Sequence, residues 1–143
     1  MNWVQKRAEC TIQKSFESIV DRIRKDIKTF NNLQTRFDGR FIVIHKEHSG
    51  FAKVVKAHIV LDDGKQVPMP IDKDSPHCIT VEIKDSKIYA EVHTEKSTEF
   101  SLIVERKWNS ETLTCDLIHD GKVKQPWNIS ESILEPFIFE QTE

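Results

Sequence analysis

Between residues 78 and 119, apolar and polar residues alternate in four runs separated by turn-forming residues: Ile79/Val81/Ile83, Ile88/Ala90/Val92, Phe100/Leu102/Val104 and Leu113/Cys115/Leu117. Side chains on a strand point to opposite faces with period two, so each run makes one apolar face and one wet one. Four such runs in succession predict a half-buried antiparallel meander. Its apolar face needs a cover from elsewhere in the chain. The wet face, with Thr80, Glu82, Glu91, His93, Glu105 and Asp116 among its members, has no chemical focus.

The cover is expected at the start of the chain. Ile12, Phe16, Ile19, Val20, Ile23, Ile27, Phe30 and Leu33 recur at spacings of three and four, with Lys14, Glu17, Asp21, Arg24, Lys25 and Lys28 on the opposite side. The pattern predicts one amphipathic helix over residues 3–33, and no Gly or Pro interrupts it. Such a helix is roughly 46 Å long, whereas a compact chain of this size is about 37 Å across. The helix must therefore overhang, bend or pack on another copy of the chain. Trp3 and Val4 lie in the excess and are the candidate contact residues for a partner.

The remainder follows from turn chemistry. Asn31-Asn32 and Asp38-Gly39 end the helix, and 41–45 reads as a short strand covered on both faces. Residues 51–61 read as a long strand with Val55, Ala57, Ile59 and Leu61 inward and Lys56 and His58 outward, closing on the hairpin signal Asp62-Asp63-Gly64-Lys65. Pro68, Pro70 and Pro76 make 66–76 an edge or a loop. Turns are expected at 84–87, 94–97 and 108–110. Asp120-Gly121 makes another hairpin, leading to Val123, and Pro126 ends that strand. Asn128 with Glu131 caps a final helix over 129–141, which Pro136 should kink or restart. The expected fold is α+β: a long N-terminal helix packed on a curled antiparallel sheet of six to seven strands, with a short C-terminal helix, in a single domain over 1–143. The element order resembles that of cystatin-like and helix-grip folds, and 38–143 alone resembles a pleckstrin-homology-like barrel. No sequence motif of any of them is present.

Motifs for chemistry are sparse. All four glycines fall at turns, so there is no glycine-rich phosphate loop and no dinucleotide fingerprint. Six histidines invite a metal site, yet His45 and His48 diverge on a strand, as do the neighbours His77 and Cys78. His93 with His119 and Asp120 requires two strand ends to meet. No serine has a nucleophile-elbow context. Glu82, Glu91, Glu105 and Asp116 read as a solvated face rather than paired acids. No catalytic, cofactor or metal residues are therefore assigned. The three cysteines, Cys10, Cys78 and Cys115, have no zinc-like spacing; Cys115 reads as a small core residue and the compartment as the reducing cytoplasm. The first residues lack the apolar stretch of a signal peptide, and no run reaches membrane-spanning length. Asn128-Ile129-Ser130 is a chance match to a glycosylation sequon.

Net charge is −2, but residues 1–60 hold 12 Lys/Arg against 6 Asp/Glu while 61–143 hold 9 against 17. Acidic residues interrupt the basic helix face and the aromatics are mostly core Phe, so no nucleic acid is expected. The sequence reading is a non-catalytic cytoplasmic protein-interaction domain, homodimeric through its N-terminal helix. Its alternatives are a small-ligand carrier or enzyme with a pocket between helix and sheet, and a module for anionic lipid or phosphopeptide using Arg36, Arg40, Lys46 and Lys53.

Overall fold

The computed structural model describes residues 2–34, 39–72, 75–93 and 98–142; Arg36 and the turn expected at 94–97 lie outside them. In chain order the elements are α1 (Trp3–Glu9), α2 (Ile12–Leu33), β1 (Arg40–His45), β2 (Phe51–Asp62), β3 (Lys65–Pro70), β4 (Cys78–Lys84), β5 (Lys87–His93), β6 (Thr98–Asn109), β7 (Thr114–His119), β8 (Lys122–Lys124) and α3 (Pro126–Thr142). The sheet is antiparallel throughout, in the order β1-β2-β4-β5-β6-β7-β8, with β3 paired to β2 outside this path. It curls into a half-barrel that holds α2 and α3 against its inner face, the α+β class expected from the alternation.

The meander forms as its pattern dictates. Ile79, Val81, Ile88, Ala90, Val92, Leu102 and Val104 are buried on the helix side, meeting Phe16, Ile19, Val20, Ile23, Ile27 and Phe30 of α2 in one core. Three hairpins turn on pairs of residues with positive φ, Asp63-Gly64, Asp85-Ser86 and Asp120-Gly121. That is the backbone hand which matches the twist of two-residue hairpins.

Four expectations are corrected. The long helix breaks at Cys10-Thr11: Thr11 caps α2 by accepting from Lys14 N–H at 3.1 Å, and Cys10 is buried and disulfide-bonded to Cys115. The length problem is thus solved by a break, and Leu33, expected in the buried stripe, is 75% exposed. Cys115 is exposed rather than a core residue, and Leu113 sits at φ 56° in the turn before β7, so of that run only Leu117 reaches the core. On β2 the helix-facing residues are Ala52 and Val54. Val55 and Ala57 are buried on the other face, where β1 and β3 approach each other, and Leu61 is exposed. Finally, α3 starts at Pro126, which needs no N–H donor in the first turn. Asn128 lies inside that turn, accepting from Gln125 N–H at 3.2 Å, and the helix continues through Pro136. Ser130 is buried and donates to Asp26 at 2.7 Å, tying α3 to α2.

The strand edges are managed in different ways. On β3, Ile71 N–H donates to Lys56 at 3.0 Å. Continued along the pairing, this turns odd residues toward β2 and puts Pro68 and Pro70 on the outward positions, where a missing N–H costs nothing. The terminal strand β1 is guarded by the Asn31 side chain. The amide of Asn31 donates to Phe41 O at 2.8 Å and accepts from Phe41 N–H at 3.0 Å, imitating one residue of a neighbouring strand. We expect Asn31→Ala to lower stability by about 1–3 kcal/mol, by leaving both groups unpaired in a partly buried site. Urea unfolding measures it, and a loss within 0.3 kcal/mol would mean that water replaces the amide at no cost.

Candidate functional site

The clefts described below open to solvent, and among the described residues between helices and sheet Phe16, Ile19, Val54, Ile79, Ile88 and Phe137 are at most 1% exposed. Two surface depressions flank α2 on opposite sides, and they differ in sign.

The first is a cleft of about 530 Å³ along β1. One wall is α2, contributing Arg24, Ile27, Lys28 and Asn31; another is Arg40–Val43 of β1; Ile59, Gln66 and Pro68 of the β2–β3 arm complete it. Arg24 and Lys28 are one helical turn apart and so project from the same side of α2. Arg24 makes a 3.5 Å pair with the largely exposed Asp21, a contact too solvated to neutralise it. Arg40 donates to Gln34 O at 3.1 Å, at the end of α2. Among the described residues that line the cleft there are three cations and no carboxylate.

The second is a groove of about 360 Å³ between α2 and α3. Phe30, Leu33, Leu134, Ile138 and Phe139 line it, with Phe30 and Phe139 edge to face at 5.8 Å, and Asp26, Glu131 and Glu135 stand at its rim. Phe139 is 51% exposed.

Of the residues singled out from sequence, Arg40 lines the first cleft. Lys46 is exposed in the turn after β1, and Lys53 lies on β2 opposite Ile44 and Thr80, on the face away from the helices. The structure therefore joins Arg40 to Arg24 and Lys28 instead. Trp3 and Val4 are 57% and 55% exposed on α1, none of whose residues is buried. Arg7 of the same helix lies 5.9 Å from the Trp108 ring centroid, beside an open cleft of about 810 Å³ lined by both signs of charge.

Four of the histidines have separate partners. His45 stacks edge-on to Phe16, His77 packs on Phe137, His93 lies 3.0 Å from Thr80 and 3.3 Å from Glu91, and His119 pairs with its neighbour Asp120. His93 is at the β5 end that meets the start of β6, and His119 is several residues further along, so the two do not meet. No group of three His, Cys, Asp or Glu is placed to hold a metal among the described residues. Cys78 lies opposite His93, but burial pushes its thiol up and outweighs the opposing pull of Lys53, so it stays protonated and a poor nucleophile. Glu105 pairs with Lys87, and Asp116 accepts from Asn109 and Thr114. No described helix is long and apolar enough to cross a membrane. Comparison with protein-family models, with curated proteins and with solved structures returns no match.

Proposed function

We propose that the protein is a non-catalytic interaction domain that works as a homodimer, each copy's α1 docked in the other's α2–α3 groove. The observation that carries this reading is the complementarity of two surfaces at opposite ends of α2. At one end, α1 presents Trp3 and Val4 to solvent beside Lys6 and Arg7. At the other, the apolar groove of Leu33 and Phe139 is rimmed by Glu131 and Glu135. The 22 residues of α2 span roughly 33 Å, which keeps α1 away from its own groove. Two copies lying antiparallel along α2 about a two-fold axis bring each α1 to the partner's groove, a closed and self-complementary arrangement. An aromatic anchor in an apolar pocket supplies the energy of such contacts, and the charged rim their register.

Sedimentation equilibrium tests the proposal. The wild type should sediment as a dimer, and Trp3→Ala and Phe139→Asp should each weaken dimerisation at least tenfold, whereas Met69→Ala, exposed on β3, should not. Lys6→Glu should weaken it and Glu135→Lys, combined with Lys6→Glu, should restore it. A wild-type monomer at 100 μM, on the order of the concentrations at which weak specific contacts form, or a dimer indifferent to these changes, would overturn the proposal.

A further inference from the structure

The cleft along β1 lies on the other side of α2 from the proposed dimer contact, and it combines two properties. It is basic, through Arg24, Lys28 and Arg40, and it runs along the terminal strand of the sheet. A terminal strand presents unpaired N–H and C=O groups on alternate residues, a template for one more strand. The Asn31 bonds show that the main-chain N–H and C=O of Phe41 point off this edge, so those of Val43 do too. No described residue bonds the Val43 main chain there.

We infer that this cleft binds an extended acidic peptide segment of a partner protein, which adds to β1 as a ninth strand, pairs with Val43 and takes over the two Phe41 bonds now made by Asn31. The geometry fixes the pattern of that segment. Alternate side chains of an added strand face opposite sides of the sheet. Those on the Phe41 and Val43 side turn toward α2, where Arg24 and Lys28 select carboxylates. Those on the Ile42 side meet Ile42, Ile59 and Pro68, which select apolar groups, with Arg40 at one end. The ligand is therefore an alternating acidic and apolar sequence, three to four residues of which match Arg40–Val43. Asn31 acts as an internal competitor: its amide holds the edge closed until a chain with more backbone bonds to offer displaces it.

The test uses a fluorescein-labelled hexapeptide of alternating Val and Asp, read by polarisation. Binding should be at least tenfold tighter than that of the Val and Lys analogue and should weaken as salt rises. Arg24→Glu with Lys28→Glu should weaken it at least tenfold with the thermal midpoint unchanged, both side chains being exposed. Methylating all the peptide nitrogens should abolish binding, since an added strand needs the donors on its inner edge. Asn31→Ala should tighten binding by removing the competitor, an effect opposite to that of any residue that merely contacts the ligand. Trp3→Ala should bind the peptide as the wild type does, so failure of the dimer leaves this inference standing. The inference is overturned if charge reversal has no effect, if the methylated peptide binds equally well, or if Asn31→Ala weakens binding. It is also overturned if phosphatidylserine vesicles recruit the protein through Arg24 and Lys28 while the peptide does not, which would make the site a lipid-headgroup surface.

Discussion

Phe16→Ala should lower the free energy of unfolding by about 3–5 kcal/mol, the range for removing a large side chain from a core that cannot collapse around the gap. Phe16 is fully buried. It stands at the first turns of α2 with its ring edge-on to His45 of β1 at 5.6 Å, so its removal opens the junction between helix and sheet edge. The neighbours that would fill the gap are on β1 and α2, and both are held: β1 by its ladder with β2, α2 by the Thr11 cap and the Asp26–Ser130 bond. In denaturant the midpoint should fall with the slope unchanged. Leu33→Ala, on the same helix but exposed, should stay within about 0.5 kcal/mol. Equal losses at the two positions would mean that α2 does not face the sheet with the stripe assigned to it.

That stripe was legible because a single face is buried on an amphipathic helix, and the same holds for the strands from Ile79 to Val104. Legibility ended where the rule of one buried face does. On β2, Ala52 and Val54 face the helices while Val55 and Ala57 are covered on the opposite side. Apolar residues then occupy both parities and the alternation carries no orientation. The break before α2 was invisible for a different reason. Its only local signal is Thr11, and a lone Thr inside a helical pattern is read as tolerated. Leu113 shows the opposite error, since two apolar neighbours at the right spacing extended the run into a turn of positive φ.

The β1 cleft was half legible. The sequence marks Arg40 as a basic candidate, and Arg24 and Lys28 read as a solvated helix face. Their meeting depends on β1 ending the sheet beside α2, which strand order decides and hydropathy does not. The α2–α3 groove is less legible still, because Leu33 reads as core and the meeting of α2 with α3, marked by the Asp26–Ser130 bond, joins residues about a hundred positions apart.

Breaking the Cys10–Cys115 bond should cost about 2–4 kcal/mol and lower the thermal midpoint by on the order of 10 °C. The two cysteines are 105 residues apart, so the bond closes most of the chain into a loop and removes much of the freedom of the unfolded ensemble. Cys115→Ser is the informative variant: residue 115 is exposed, so the change removes the bond with little disturbance of packing, whereas Cys10 is buried and its main-chain oxygen accepts from Arg106 at 3.0 Å. Because the bond anchors the α1–α2 junction to β7, its loss should also free α1, which has no buried residue of its own. In a background with Trp108→Phe and Trp127→Phe, which leaves Trp3 as the one tryptophan, its fluorescence anisotropy should fall under reduction, and dimerisation through α1 should weaken with it. Thiol titration in denaturant fixes the starting state: one reactive thiol, Cys78, where the bond is formed, and three where a reducing compartment such as the cytoplasm has kept it open. A midpoint and an anisotropy unmoved by Cys115→Ser would show that α1 is held by its contacts on β7 and Trp108 alone, and the proposed dimer would then be independent of redox state.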